Sequence, residues 1–265
     1  MHADFRLNGV SYDRDNLLSH AHDLSSAKPE YLNELGRFVL DWFSDNPHLE
    51  LQTSGSTGKP TQIVAPKAML SASAMTTVKA LALQPTQQAL LCLPLRHIAG
   101  KMMLIRALMA GLWIDVIEPT ASPKVSKVYD FTAMTPLQLK SSLNHLDQFK
   151  LIIVGGAPLG DFLRTEVKNH TSRIFSTYGM TETYSHVALQ NLSKGETHYT
   201  AVNHVTFSMQ EDTLVIHAPH IGIEKLLTTD CVDLISSTQF LWKGRSDYVI
   251  NSGGIKLHPE QIEKA

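Results

Sequence analysis

The sequence predicts an α/β fold, in which a mostly parallel sheet is covered by helices and a small antiparallel region lies near the C-terminus. Short apolar segments such as KLIIVGG and RIFSTYG alternate with helix-like segments, a pattern typical of parallel strands buried on both faces. Beyond about Ala201, segments of alternating polarity such as DTLVIHAP and TQFLWKG favour antiparallel strands. We therefore expect an α/β core over residues 1–200 and a β-rich part of the same large domain over residues 201–246.

The first predicted elements surround a glycine-rich loop. Apolar residues from Tyr31 to Phe43 recur at helical spacing and stop before Asn46-Pro47, which predicts a helix. The segments LELQT and TQIVAP, on either side of TSGSTGKP, then read as two strands. The loop is therefore expected to connect strand to strand, whereas the P-loop of nucleotide triphosphatases connects a strand to a helix.

The loop TSGSTGKP also departs from the P-loop pattern in its residues. Thr53 stands where that motif has its first glycine, and Pro60 stands where it has the hydroxyl that binds Mg²⁺. A Gly/Ser/Thr loop can still turn backbone N–H groups and hydroxyls toward an anion, with Lys59 adding a positive charge. We predict a phosphate-binding loop, and a plain surface linker is the structural alternative.

The later elements follow the alternating pattern. Strands are predicted at ALLCLP, LWIDVIEP, KLIIVGG and RIFSTYG, with helices around residues 99–110, 136–146 and 159–169. Two glycine features follow strands, where ligands collect in open α/β sheets: VGGAP (154–158) and TYGMTE (177–182). The first is either an ordinary tight turn or a bare backbone that a flat ring can approach. In the second, Thr181 and Glu182 offer a hydroxyl and a carboxylate suited to phosphate and Mg²⁺.

Composition limits the classes of partner. The chain has 265 residues, a hydrophobic fraction of 43% and a formal net charge of −2, without a block of like charge. We therefore expect neither a nucleic-acid groove nor a basic membrane-binding surface. Cys92 and Cys231 are expected to be buried thiols. The N-terminus has no apolar signal region, and Arg106 and Asp115 interrupt the most apolar stretch, so we expect a cytoplasmic protein without a membrane span.

Five motifs in this order resemble the adenylate-forming superfamily, which includes acyl-CoA synthetases, peptide-synthetase adenylation domains and firefly luciferase. The motifs are TSGSTGKP, PLRHIAG, GGAPL, STYGMTE, and the closing pair TTD with GRSDYVINSGGIKLHPEQIE. The resemblance implies the N-terminal domain of such an enzyme. It also implies the joining of a carboxylate to ATP to give acyl-AMP and pyrophosphate, followed by thiolysis by coenzyme A. The first step needs positioning and charge stabilisation and no general base, because the attacking carboxylate is already an anion.

The resemblance implies a role for each matching residue. The β- and γ-phosphates of ATP would be held by Thr53, Ser54, Gly55, Ser56, Thr57, Gly58 and Lys59. The adenine would lie against Gly155, Gly156 and Ala157, with Tyr178 and Gly179 beside it and Tyr178 stacking on the ring. Thr181 would contact the α-phosphate, Glu182 would bind Mg²⁺, and Asp230 would accept hydrogen bonds from both ribose hydroxyls with help from Arg245. His97 would gate the acyl pocket, and the expected catalytic residues are Lys59, His97, Thr181 and Glu182.

The motifs LPLRHIAGKMMLIRAL and TYGMTETYSHVAL look most like those of compact o-succinylbenzoate–CoA ligases of menaquinone biosynthesis. Such a substrate has a second carboxylate, which calls for a cationic or hydroxyl partner. The candidates are Arg96, His97, Lys101, Ser185 and His186. Two alternatives stay open: a ligase for another aryl or fatty acid, and a non-catalytic nucleotide-binding module.

The sequence departs from the family at both ends. Little sequence precedes the phosphate loop, so we expect a reduced N-terminal subdomain. Residues 247–265 match only the hinge, at Asp247, and the start of the family's C-terminal domain, which carries the lysine that stabilises the adenylation transition state. We therefore expect a truncated chain that binds ATP and adenylates poorly, which pyrophosphate exchange would measure.

Overall fold

The computed structural model describes residues 1–52, 62–248, 250–252 and 255–257. The helices are α1 (Arg14–Leu24), α2 (Glu30–Phe43), α3 (Lys67–Leu81), α4 (Ile98–Ala110), α5 (Pro136–Ser141) and α6 (Asp161–Val167). The strands are β1 (Arg6–Leu7), β2 (Val10–Ser11), β3 (His48–Gln52), β4 (Gln62–Pro66), β5 (Gln88–Leu91), β6 (Trp113–Val116), β7 (Phe131–Met134), β8 (Leu151–Val154), β9 (Arg173–Gly179), β10 (His186–Asn191), β11 (Tyr199–Ala201), β12 (Thr206–Gln210), β13 (Thr213–Ala218), β14 (Ile223–Ser236), β15 (Gln239–Arg245), β16 (Ile250–Ser252) and β17 (Ile255–Leu257).

One 13-stranded sheet carries the fold, in the order β12-β13-β14-β15-β11-β10-β9-β8-β7-β5-β6-β1-β2. The run from β9 to β1 is parallel, whereas the run from β12 to β10 pairs antiparallel and joins the parallel part between β10 and β9. The predicted α/β class is confirmed, and the antiparallel strands after Ala201 continue the same sheet. Two hairpins, β3–β4 and β16–β17, stand apart from it.

Helices cover both faces of the parallel strands. Along β5, Ala89 and Leu91 belong to the core cluster that includes residues of α3 and α4, whereas Leu90 and the following Cys92 belong to the cluster under α5 and α6. Successive side chains of a strand point to opposite faces, so each strand serves both layers and must be apolar throughout. This explains the continuous apolar runs in the sequence. Cys92 and Cys231 are buried free thiols, as predicted.

Two predicted helices are shorter than expected. The segment 136–146 is helical only as α5, because His145 has a non-helical backbone (φ −138°) and the chain continues as a 3-10 turn over Leu143–Gln148. The segment 159–169 is helical only as α6. Among the helices in the described ranges, none has the length and apolar character that a bilayer crossing requires.

The sequence analysis missed α3, although it is the longest helix in the described part of the chain. Its residues KAMLSASAMTTVKAL are mostly small or hydroxylic, and its buried face includes Ser73, Thr76 and Thr77. A buried face of this kind gives no clear apolar periodicity, because hydroxyl groups satisfied by the helix backbone take the place of larger apolar side chains.

Candidate functional site

Two of the predicted nucleotide-binding segments lie at the carboxyl ends of β8 and β9. These strands are neighbours and parallel, with Val154 paired to Ser176, so the loops that follow them lie side by side. Gly155 and Gly156 follow β8, and the turn that contains Glu182 follows β9. This is the edge at which open α/β sheets collect ligands.

The GG turn leaves an open strip of backbone. A Cβ on Gly155 would lie 2.3 Å from Thr177 Oγ1, which itself donates to Val154 O at 3.1 Å. Gly156 has φ +88°, nothing lies within 4 Å of where its Cβ would stand, and it is exposed together with Ala157. The first glycine is therefore required by close packing and the second by its left-handed backbone. Together they expose peptide surface that a flat ring can approach.

The turn after β9 depends on Gly179 and Thr183. A Cβ on Gly179 would lie 2.3 Å from Ser185 O, so β9 and the start of β10 approach too closely for a side chain there. Thr183 Oγ1 donates to Ser185 O at 2.6 Å and accepts from Met180 N at 3.0 Å. These bonds hold the 3-10 turn that leaves Glu182 exposed at the edge of the sheet. An exposed carboxylate that shares its metal with phosphate oxygens is a usual ligand for Mg²⁺.

Asp230 lies on β14, which β15, β11 and β10 separate from β9 in the sheet, and its side chain contacts Tyr178 of β9. Its Oδ2 accepts from Tyr178 Oη at 2.7 Å, and its Oδ1 accepts from Trp242 Nε1 at 2.8 Å. Burial and the charge of Asp230 raise the pKa of Tyr178 well above its usual value, so its hydroxyl stays protonated and remains a donor. Each carboxylate oxygen has a second lone pair, so Asp230 can still accept from a ligand hydroxyl.

The ring of Tyr178 is packed inside the protein. It is 9% exposed, and its centroid lies 5.0 Å from that of Phe240 and 5.7 Å from that of Tyr199. Tyr178 therefore contributes a fixed hydrogen bond to Asp230, and only a small part of its ring is exposed for contact with a ligand.

Arg245 lies opposite Asp230 in the β14–β15 ladder. Its Nη2 lies 2.7 Å from Asp247 Oδ2, so the residue predicted to assist ribose binding is ion-paired to the predicted hinge residue. The structure thus brings Asp230, Arg245 and Asp247 into one connected group.

Three of the predicted acid-binding residues lie apart from the others. Arg96 is exposed and ion-paired to Glu34, with Nη1 3.0 Å from Oε1. Lys101 Nζ donates to Glu50 O at 3.1 Å. His97 is the exposed N-cap residue of α4, where partial burial and the charge of Arg96 lower its pKa. Within the described part of the chain, no hydrogen bond or ion pair joins these three side chains to Ser185 or His186.

Arg106 is a functional candidate that the sequence analysis missed. It lies on α4 and is 2% exposed, and its Nη2 donates to Ser185 Oγ at 2.6 Å. Among the described residues its buried Nε has no hydrogen-bond partner, and no ion pair includes Arg106. Burial lowers the pKa of the guanidinium to about 9, so it is still cationic at neutral pH. A buried cation without a counter-ion is costly, which favours a site completed by an anionic ligand.

A signal for Arg106 was present in the sequence. The residue stands inside the helical run MMLIRALM, in which the neighbouring side chains are apolar on every side. A charge inside an apolar helix is the informative exception to burial rules. The same residue that argues against a membrane span therefore also marks a buried cation.

The phosphate-loop residues Thr53, Ser54, Gly55, Ser56, Thr57, Gly58 and Lys59 lie outside the described residues. The strands on either side are described: β3 and β4 pair antiparallel, with Gln52 opposite Gln62. The predicted strand, loop, strand arrangement is therefore confirmed for its strands.

Comparisons with known proteins give a family. The model of the family described as AMP-binding enzyme matches residues 44–218. An AMP-forming acyl-CoA synthetase/AMP-acid ligase II-like protein from Dyadobacter fermentans is 34% identical, and its crystal structure superposes with a TM-score of 0.78 over 93% of this chain and 73% of that chain.

More distant relatives bear the name suggested by the sequence motifs. The 2-succinylbenzoate–CoA ligase of Bacillus anthracis is 23% identical over 81% of this chain and 53% of that protein. The o-succinylbenzoate coenzyme A synthetase of Bacillus subtilis, solved in complex with ATP and magnesium ion, shares the fold at 19% identity, with a TM-score of 0.70 over 81% of this chain and 53% of that one. The chain spans about half the length of these relatives.

Proposed function

The chain belongs to the AMP-binding enzyme family, and from this premise we propose that it forms the nucleotide- and acid-binding part of an ATP-dependent acid–CoA ligase. In the first half-reaction a carboxylate oxygen attacks the α-phosphorus of ATP, the bond to the bridging oxygen breaks, and pyrophosphate leaves. In the second, the thiolate of coenzyme A attacks the acyl carbon and AMP leaves. The protein contributes by positioning the reactants and stabilising their charge.

The nucleotide half of this proposal is supported by the edge formed by β8, β9 and β14. The adenine ring would lie on the exposed backbone of Gly155, Gly156 and Ala157. The ribose hydroxyls would donate to Asp230, whose carboxylate is held by Tyr178. Such a pre-positioned carboxylate recognises a vicinal diol without the cost of ordering it during binding.

The phosphate half would use the turn after β9 and the loop between β3 and β4. Thr181 would contact the α-phosphate, and Glu182 would hold Mg²⁺ together with phosphate oxygens. The metal would supply charge neutralisation at the phosphates. Lys59 would position the pyrophosphate group, and His97, at the N-terminus of α4, would guard the entrance for the acid. Asp247 would serve as the hinge toward a C-terminal domain.

The single observation that carries the choice of acid is the buried guanidinium of Arg106, which has no ion-pair partner among the described residues. A fatty acid or a simple aryl acid brings one carboxylate, and that group must reach the α-phosphate. A substrate with a second carboxylate would provide the anion that Arg106 lacks within the described residues. Together with the names of the relatives, this favours o-succinylbenzoate, which would assign the enzyme to menaquinone biosynthesis.

A panel of acids tests the proposal. AMP release would be followed with ATP, Mg²⁺ and coenzyme A, using o-succinylbenzoate, the matching acid without the ring carboxylate (3-benzoylpropionate), benzoate and octanoate. We expect o-succinylbenzoate to have the highest kcat/KM, by at least about tenfold over 3-benzoylpropionate, because a charge-assisted hydrogen bond contributes about 1.5–3 kcal/mol.

The other outcomes identify the alternatives. Equal kcat/KM for the two acids, or a preference for octanoate or benzoate, would indicate a ligase for another aryl or fatty acid. Tight ATP binding without AMP release for any acid, in the chain joined to its complete C-terminal domain, would indicate a nucleotide-binding module.

A further inference from the structure

A series of hydrogen-bonded polar side chains connects α4, the start of β10 and α3. Arg106 Nη2 donates to Ser185 Oγ at 2.6 Å, and Ser185 Oγ lies 3.4 Å from His186 Nδ1. The other ring nitrogen, His186 Nε2, lies 3.2 Å from Thr77 Oγ1, which donates to Ser73 O at 3.3 Å. The side chains of Arg106, His186 and Thr77 are at most 8% exposed. The nucleotide chemistry proposed above makes no use of His186 or Thr77.

The groups at the two ends of this series determine which atom donates and which accepts in each hydrogen bond. An arginine has only donors, and a backbone carbonyl has only acceptor sites. When the single hydroxyl hydrogen of Thr77 goes to Ser73 O, as the contact within α3 indicates, Thr77 Oγ1 accepts from His186 Nε2. The ring hydrogen of a neutral His186 is therefore on Nε2, and Nδ1 is an acceptor.

The hydroxyl of Ser185 has donor and acceptor roles that agree with this assignment. Its oxygen accepts from Arg106, and its hydrogen has His186 Nδ1 as its acceptor. If His186 carried its hydrogen on Nδ1 instead, the Ser185 hydroxyl hydrogen would have no acceptor among the contacts of the described residues. Ser185 is half-buried, and the first arrangement is favoured because it alone pairs this hydrogen within the described residues.

The ring of His186 is also kept uncharged by its surroundings. Burial, and after it the charge of Arg106, lowers the pKa of His186 well below its usual value. This series of hydrogen bonds requires a neutral ring. An imidazolium would have two donors and would leave the Ser185 hydroxyl hydrogen without an acceptor.

We propose that Thr77 is a positioning residue for the acid site: it holds His186 as the Nε2–H tautomer, and His186 in turn orients the Ser185 oxygen toward the guanidinium of Arg106. The guanidinium is then fixed by one of its ends, with Nε left for the second carboxylate of the acid. The identity of the ligand in this inference rests on the proposed function. The donor and acceptor assignments of the hydrogen bonds do not depend on it. This role of Thr77 assigns specificity to a helix that contacts the acid only through three intermediate side chains, those of His186, Ser185 and Arg106.

The tautomer can be measured without any substrate. In the chain labelled with ¹⁵N in histidine, two-bond correlations distinguish a protonated from an unprotonated ring nitrogen, and the His186 signals are those that vanish in His186→Gln. We expect an unprotonated Nδ1 and a protonated Nε2 in the wild type. In Thr77→Val, which removes the acceptor at nearly constant volume, we expect the Nδ1–H form to gain population. A protonated Nδ1 in the wild type, or an unchanged tautomer in Thr77→Val, would overturn the proposal.

The helix offers a matched control. Thr76 is also buried on α3 and also donates to the carbonyl four residues earlier, Ala72 O, at 2.9 Å, but among the described residues its hydroxyl makes no hydrogen bond to His186. We expect Thr77→Val to raise the KM for o-succinylbenzoate about fivefold to tenfold with the KM for ATP unchanged, as for loss of one oriented hydrogen bond. Thr77→Ser should restore the wild-type value, and Thr76→Val should leave both KM values unchanged.

Equal increases in Thr76→Val and Thr77→Val would reduce Thr77 to a packing role and contradict the proposal. The two levels of inference fail separately. Absence of acid-dependent AMP release in the chain joined to its complete C-terminal domain would refute the proposed function, whereas the tautomer measurement tests the role of Thr77 in either case.

Discussion

Single glycines determine how closely the strands that build the site approach one another. Gly155 is packed against Thr177 Oγ1 and Gly179 against Ser185 O, each at 2.3 Å from the position that a Cβ would occupy. These contacts bring the residues after β8, the end of β9 and the start of β10 close together. The two glycines therefore hold the backbone proposed for adenine binding close to Ser185, the hydrogen-bond partner of Arg106.

The substitution Gly179→Ala tests this close approach. The new methyl group would meet backbone atoms of Ser185 and His186, which cannot move without shifting β10. We expect a loss of about 1–3 kcal/mol in the free energy of unfolding, the usual range for overpacking, measured by urea denaturation. Gly160→Ala is the control, because nothing lies within 4 Å of a Cβ there. Equal destabilisation by both changes would contradict the packing argument.

Asp230 is the residue that we propose for recognition of the ribose hydroxyls. In Asp230→Asn we expect the affinity for ATP to fall about tenfold or more, because the charge-assisted bonds to the ribose hydroxyls are lost. Calorimetric titration with ATP and with 2′,3′-dideoxy-ATP separates this effect from a general disturbance. The dideoxy nucleotide should bind both proteins with similar affinity, and a parallel loss for both nucleotides would argue against ribose recognition by Asp230.

At the scale of elements, α5 shows how one short helix supports several loops of the site edge. Thr135 Oγ1 accepts from Gln138 N at 3.2 Å, and Gln138 Oε1 accepts from Thr135 N at 3.0 Å, which forms a capping box. Gln138 Nε2 also donates to Cys92 O at 2.8 Å and to Thr120 O at 2.9 Å. The buried amide thereby joins the ends of β5, β6 and β7.

Stability measurements on two variants test this arrangement. Thr135→Ala should cost about 1 kcal/mol, the usual value of a lost N-cap. Gln138→Ala should cost more, about 2–4 kcal/mol, because it also removes the donor to the buried Cys92 carbonyl and the donor to Thr120 O. Both values would come from urea denaturation. A smaller cost for Gln138→Ala than for Thr135→Ala would contradict the role assigned to the amide.

Elements with strong local patterns were predictable from the sequence. The parallel strands were recognisable because burial on both faces requires unbroken apolar runs, and α2 because its apolar residues recur at helical spacing. The helix α3 was not, since its buried face contains Ser73 and Thr77, and neither were β1 and β2, which are two residues each. Such short strands carry too few residues for a periodicity to be recognised.

At the scale of the whole molecule, motif order predicted the family and the fold, but not the pairing of side chains. Ser185 and His186 were named as candidates from their place after the STYGMTE motif. Their partners Arg106 and Thr77 come from α4 and α3, and only the packing of these helices brings them together. Conversely, Arg96 belongs to a matching motif, and its ion pair with Glu34 of α2 could not be read from spacing.

The buried His186 also makes the stability of the whole chain depend on pH. Its pKa is lowered well below 6.5 in the folded protein, so the unfolded chain takes up a proton below about pH 6.5 that the folded chain does not. Stability is therefore full above about pH 6.5 and is lost as the pH falls below it. Between pH 7.0 and 5.5 we expect the wild type to lose about 1 kcal/mol more than His186→Gln in urea denaturation.

A wild type and a His186→Gln variant with parallel stability curves over this pH range would mean that His186 titrates normally in the folded protein.

In the proposed acid site, the buried guanidinium of Arg106 receives the second carboxylate of a dicarboxylic acid. The most direct measurement is calorimetric titration of o-succinylbenzoate and 3-benzoylpropionate into the wild type and Arg106→Met, each saturated with a non-hydrolysable ATP analogue. Replacing a buried ionic group by an apolar side chain of similar size is often tolerated, and thermal unfolding checks that the variant is folded. We predict that the wild type prefers the dicarboxylic acid by at least about tenfold. Arg106→Met should bind both acids with the same affinity, close to that of the wild type for 3-benzoylpropionate. The same preference in both proteins would contradict the claim.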